Sequence, residues 1–285
     1  MKRRVASIAG LSVLVIAVAL PAMGAKLQTE TLTFAPEGAK EVMVNVDFSA
    51  GELRFRPADI ASVAEIEIRH DPEVNTYDTH YRVRNERGYL NLESKRHRRH
   101  VDTDKNRWDI ALSSRYPQYL DLDLGAADIS MDLGGLAIGR LMLNVGAASC
   151  QIDFSAPNQI RLKEISVDAG ASSLEVTNLG NARVDRLNFS GGVGAFHLDF
   201  FGDFRGQSTV AIDVSMGAAS IVIPEDLAVQ LRTDGSGWFS KMAFDKKHFR
   251  EVHDGVWETA NYESAEDRLV LDIDVGMGAI DIKVR

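Results

Sequence analysis

From residue 120 onward the chain alternates apolar and polar positions in short blocks, each broken by a glycine and two or three small residues. Leu120, Leu122 and Leu124 share one side and Asp121 and Asp123 the other; after Gly125-Ala126-Ala127 the alternation resumes at Ile129 and Met131. Period two is the signature of a strand with one buried face, and no helical period competes with it. The block returns at residues 141–154, 165–176, 187–200, 212–223 and 271–284, with a degenerate early copy at 44–55. The anchor glycines Gly125, Gly146, Gly170, Gly192 and Gly217 lie 21, 24, 22 and 25 residues apart, and Gly276 follows after 59. Such a small-residue element marks a corner, where a bulky side chain does not fit or a positive φ is needed.

Each copy fits either an antiparallel hairpin or one coil of a stack. The regular period with a corner at fixed offset favours the stack. The expected fold is all-β: a single-stranded β-solenoid of about seven coils, carrying an N-terminal β cap and an enlarged coil or hairpin insertion near the C-terminus. Its inner columns are expected to hold Leu122, Leu143, Val167, Phe189, Val214 and Ile273 before the corner. After it they hold Ile129, Cys150, Leu174, Phe196, Ile221 and Ile280. Residues 26–119 read as a β segment over the first coil's open edge, 120–285 as the repeat region, and 224–268 as its insertion.

Residues 1–25 read as a signal peptide. Lys2, Arg3 and Arg4 precede an apolar run at 11–20; Pro21 breaks it and small residues follow. An uncleaved anchor is the alternative, since the apolar stretch reaches the lower limit for a span. With cleavage the chain is exported, periplasmic or extracellular, and no transmembrane span remains. The formal charge of −9 then becomes −12 with the loss of three cations. This acidity argues against nucleic acid as a partner. Export removes ATP-driven chemistry, and a single cysteine among 285 residues excludes an intrachain disulfide framework.

The run Trp108-Asp-Ile-Ala-Leu, Tyr116-Pro and the string from Leu120 to Gly135 resemble the toast-rack domain of bacterial envelope proteins. That group is related to cell-wall-active-antibiotic response proteins. The tail Asn261-Tyr-Glu-Ser-Ala265 followed by Ile273-Asp-Val-Gly-Met-Gly-Ala-Ile280 is similar to the end of the same group. The resemblance implies an exported β-solenoid with an adhesin-like or envelope-stress role. It brings no catalytic residues.

Catalytic signatures are missing: no G-x-S-x-G, H-E-x-x-H, P-loop or G-x-G-x-x-G occurs. We therefore expect no cofactor, no metal site, no catalytic residues and no enzyme. One outward column, Asp47, Asp123, Asn144, Asp168, Ser190, Ser215 and Asp274, reads as a soluble face; a calcium site or a sugar-cleaving acid pair is the alternative. Lys95, Arg96, Arg98 and Arg99, with His97 and His100, form a cationic run. It reads as a solvated turn or as a contact for an anionic envelope polymer or an envelope protein. Trp238 and Phe239 follow Gly235-Ser-Gly and read as packing of the insertion onto the rod; an exposed pair that stacks on a sugar ring is the alternative. The expected function is an exported, non-enzymatic envelope binding, adhesin-like or scaffold module. The alternatives are a carbohydrate-active enzyme and an envelope-stress regulator.

Overall fold

The computed structural model describes residues 13–17, 27–96, 106–233 and 241–285. Among these the chain is nearly all strand, with one four-residue helix. Period-two blocks become strands because each has one apolar face to bury.

The first strands, β1 (Val13–Ala17) and β2 (Gln28–Phe34), run antiparallel. The early copy is β3 (Glu41–Ala58), and it passes through its small-residue corner without a break. Next come β4 (Ala64–His70), β5 (Asn75–Arg84), β6 (Arg87–Arg96) and β7 (Asn106–Ser113). Both β6 and β7 lie parallel to β3, side by side along its length. On the outer side of β6 lies antiparallel β5; β4 covers β7 and β2 covers β4 in the same sense.

Then β8 (Pro117–Asp132) returns to the other side of β3, parallel and in register, with Leu122 opposite Val46 and Ile129 opposite Leu53. The next copy is split at its corner into β9 (Ala137–Val145) and β10 (Ser149–Asp153), both parallel to β8. One long strand, β11 (Leu162–Thr177), spans both halves, and after α1 (Leu179–Ala182) come β12 (Val184–Asp199) and β13 (Gln207–Ile223), each parallel to the last.

The insertion holds β14 (Ala228–Thr233), β15 (Lys241–Phe244), β16 (Phe249–His253) and β17 (Val256–Thr259). The chain then comes back to β13 as β18 (Arg268–Val275) and β19 (Ala279–Val284). On the far side of these lie β14 and β15, again parallel; β17 covers β14, and β16 covers β17, both antiparallel. The parallel ladder thus runs β6/β7, β3, β8, β9/β10, β11, β12, β13, β18/β19, β14/β15. At the C-terminal end the chain overshoots to the outermost layer and then fills in the one beneath; at the amino-terminal end it starts one layer in, lays β6 and β7 outside β3, and returns to the other edge of β3 as β8.

The register corrects the sequence reading in one copy. Gly217 pairs with Gly194, not Gly192, and the residue at the anchor position is Ser215. The inner column before the corner therefore takes Ile212 where Val214 was expected. After the corner Ala219, not Ile221, lies between Phe196 and Ile280. The physical reason is volume. Phe196 packs edge-on against Phe189, ring centroids 5.1 Å apart, and a small residue opposite leaves room for the pair. All these column residues are buried, Cys150 among them at 1% exposure. Burial among aliphatic neighbours pushes its thiol up to about 12.

Close approach requires glycine at some of the corners, Gly125, Gly192 and Gly276, and less strictly at Gly146 and Gly170. None of the anchors has a positive φ. A Cβ on Gly125 would sit 2.4 Å from the Ser49 carbonyl oxygen of the neighbouring layer.

Candidate functional site

Outward residues of the parallel strands stack into columns, just as the inward ones do. The correct register changes the acidic column: Asp213, not Ser215, follows Ser190 and pairs directly with Asp274. The column reads Glu93, Asp47, Asp123, Asn144, Asp168, Ser190, Asp213, Asp274. Neighbouring layers are about 4.8 Å apart, so adjacent carboxylates repel. The effect shows at Asp47, whose carboxyl is raised by partial burial and then by the charges of Asp123 and Glu93.

At the C-terminal end this column forms one side of a groove of about 560 Å³. Short side chains extend both of its sides, Ser166, Asn188 and Ala211 in the column of Asp272 and Ser190 in the column of Asp168 and Asp213. Asp168, Asp213 and Asp274 line one side, and Asp272 with Arg232 the other. Arg232 sits next to Asp272 by strand pairing and bonds it at 3.5 Å, while its Nε donates to Gln230 at 2.7 Å. Asp168, Asp213 and Asp274 have no ion pair with a described residue. The groove is therefore anionic and open, suited to cationic groups. Its signal was in the sequence: Ile212-Asp-Val-Ser-Met-Gly-Ala aligns residue for residue with Ile273-Asp-Val-Gly-Met-Gly-Ala once Ser215 is allowed at the anchor. Arg232 and Asp272 carried no such signal, because only the overshoot of β14 brings them together.

Among the described residues, no group of three or more His, Cys, Asp or Glu could hold a metal ion. The described histidine with the most partners is structural. His70 is 4% exposed; its Nδ1 lies 2.8 Å from the Asn75 carbonyl and its Nε2 3.4 Å from Glu30. The Tyr77 hydroxyl donates to the same carboxylate at 2.7 Å, and burial together with that carboxylate raises the phenol's pKa. These contacts tie β2, β4 and β5 together.

The other sequence-derived candidates are only partly visible. Lys95 lies on β6, bonded to Asp78 at 3.2 Å and Glu93 at 3.3 Å, so two carboxylates already engage its charge. Arg96 ends the strand opposite Asn75. Arg98, Arg99, His97 and His100 lie outside the described residues, as do Trp238 and Phe239. Of residues 1–25, only the strand β1 is described. No helix among the described residues is long and apolar enough to cross a membrane.

The fold and the groove define an all-β protein of stacked parallel layers with one acidic outer face. Residues 23–177 match the family model for the N-terminal domain of toast_rack, DUF2154, and residues 175–282 match that of the cell wall-active antibiotics response LiaF C-terminal domain. The chain belongs to the toast-rack family. The two matches meet at the end of β11, where the parallel ladder continues into β12. No curated protein matches the sequence. Among solved structures, a candidate cell adhesion protein from Clostridium sporogenes is 17% identical with a TM-score of 0.47, over 91% of this chain and 100% of that one. A candidate adhesin from Bacteroides fragilis is 12% identical with a TM-score of 0.36, over 91% and 97%.

Proposed function

We propose that this chain is an exported, non-enzymatic binding module of the bacterial envelope, adhesin-like or scaffolding, built as a β-solenoid whose ends are covered by antiparallel strands. The observation that carries this reading is the ladder itself. Parallel in-register stacking turns every outward position into a column, so the protein presents a rigid face with a repeated spacing and a groove that is open rather than closed around a reacting centre. Asp272 is paired with Arg232, the carboxylates of Asp168, Asp213 and Asp274 have no ion pair with a described residue, and no described histidine lines the groove, which favours binding over acid–base chemistry. Membership of a family whose C-terminal model is named for the response to cell-wall-active antibiotics supports an envelope setting. The amino-terminal pattern of cations, apolar run and small residues supports export.

The test has two arms. Fractionation of cells expressing the chain, with sequencing of the mature amino terminus, should find it outside the cytoplasm and starting near Lys26. Purified protein should bind isolated envelopes saturably, and heat-unfolded protein should not. Cytoplasmic retention, or equal binding by folded and unfolded chain, would overturn the reading.

A further inference from the structure

We propose that the exposed corner ridge and the acidic groove beside it together dock a basic amphipathic helix of a protein partner. The proposal rests on the binding-module reading and adds the partner's chemistry. Val193, Met216 and Met277 are 54%, 48% and 56% exposed; among the other large apolar side chains of the described residues only Phe201, at 38%, comes near them. They are not scattered. Val193 pairs with Met216, and Met277 follows in the next layer, where its backbone N–H donates to the Ser215 carbonyl at 2.8 Å. Alanines continue the same edge through the earlier layers as far as Ala126. Five layer steps give a continuous apolar ridge of about 24 Å, the length of a helix of about 16 residues. Contiguous exposed apolar surface of this kind marks an interaction site.

Charge selects the occupant. The outward column that carries the rail lies three residues before the ridge, and it is acidic beside both methionines: Asp213 precedes Met216 and Asp274 precedes Met277, while Ser190 precedes Val193. Three residues span at most about 10 Å, roughly the diameter of a helix. A helix laid on the ridge therefore reaches the rail with side chains on its flank. Lysine or arginine there would pair with carboxylates that have no cationic partner among the described residues. A second copy of this chain would set rail against rail, and an anionic lipid surface would be repelled, so both are disfavoured. An apolar stripe flanked by cations on one helix satisfies both features at once.

The experiment measures binding of the purified protein to a carrier protein displaying a Leu/Lys amphipathic helix of about 18 residues. The comparisons are a scrambled sequence of the same composition and phosphatidylglycerol vesicles. We expect saturable binding to the amphipathic helix alone. The variant Val193→Ser/Met216→Ser/Met277→Ser should bind at least about tenfold more weakly. Asp213→Asn/Asp274→Asn should bind more weakly and lose most of the salt dependence. All substituted side chains are exposed, so neither variant should melt below the parent, and melting curves establish that losses are not unfolding. Equal binding of the scrambled helix, an unaffected ridge variant, or preference for the vesicles would each overturn the proposal. Envelope binding separates the two readings. A ridge variant that binds envelopes as the parent does overturns the docking surface and leaves the module. A parent that binds no envelope overturns the module.

Discussion

The backbone N–H of Asn158 donates to the carbonyl of Asn181 at 2.8 Å, joining the loop between β10 and β11 to the short helix α1 that follows β11. Both side chains are buried braces. Asn158 accepts from the Ile138 N–H at 2.9 Å and donates to the Ile138 and Ile160 carbonyls at 2.8 Å each. Asn181 donates to the Phe154 carbonyl at 2.8 Å and accepts from the Asp203 N–H at 2.7 Å. Loops at this depth need such partners, because their own backbone groups cannot reach water. Asn158→Ala leaves buried groups of Ile138 unpaired and should cost about 3 kcal/mol. Asn158→Asp keeps the acceptor and loses the donors, and should be nearly as damaging. Urea denaturation of both variants checks this, and a cost below about 1 kcal/mol for Asn158→Ala would remove the brace from the account.

The corner glycines should not be equally sensitive. A Cβ at Gly125 meets a backbone oxygen at 2.4 Å, while one at Gly146 meets its nearest neighbour at 3.3 Å. Gly125→Ala should therefore destabilise by more than about 2 kcal/mol, because backbone must shift, and Gly146→Ala by less than about 1 kcal/mol. Thermal melts of the two single variants decide it, and an equal cost would mean that the corner is held by something other than close approach.

The neighbours Leu143 and Asn144 test the register of the ladder. Leu143→Asp places a carboxylate in the closed inner column and should abolish cooperative unfolding at neutral pH. Asn144→Asp joins Asp123 and Asp168 on the outside and should cost under about 1 kcal/mol, less as salt is added. If circular dichroism melts show the two as equally mild, the inward and outward assignments are reversed or lost.

Asp47 gives a pH prediction with a definite sign. Its carboxyl is raised from 3.8 by partial burial and then by Asp123 and Glu93. A raised carboxyl contributes stability that is fully present below 3.8, the unfolded value, and is lost as pH rises through the folded value. At neutral pH, Asp47→Asn should therefore be more stable than the parent. The gain should stay under about 1 kcal/mol, since the side chain is largely exposed. Paired melts at pH 7 and pH 3 should show the gain at the first and its disappearance at the second. A gain that persists at pH 3 would point to a cause other than charge.

Cys150 should react with a thiol reagent only through unfolding, given its burial and raised thiol. The labelling rate at pH 8 should follow denaturant concentration as the unfolding equilibrium does. Rapid labelling in native buffer would place Cys150 outside the inner column.

Much of the strand content could be read from the sequence, because period-two alternation is local and a buried face enforces it. Cys150 could be placed in an aliphatic column for the same reason. The register slipped by two residues at the copy holding Gly217, where glycine was taken as the anchor. The structure follows side-chain volume instead, placing Ala219 beside Phe196 and letting Ser215 stand at the corner. That slip hid Asp213, and with it the pair that makes the groove acidic. Nothing local could have placed Arg232 beside Asp272, since their pairing depends on β14 passing over a layer not yet made. The asparagine braces were also missed, because a lone Asn in a loop looks like any turn residue.

The departure from sequential stacking at each end has a consequence for the order of assembly. In the middle of the molecule each new layer, from β9/β10 to β13, lands on the one just completed, so layers can be added as the chain is synthesised. The ends cannot be built that way. One edge of β3 stays open until β8 arrives, after β4 to β7 have been laid on its other side, and β14 waits for β18, some 40 residues later in sequence. Closing such long loops is entropically costly and slows folding. The last event in the life of a new chain is thus the insertion of β18 and β19 between two strands already made. Until it happens, β13 and β14 both present open edges that can pair with another molecule.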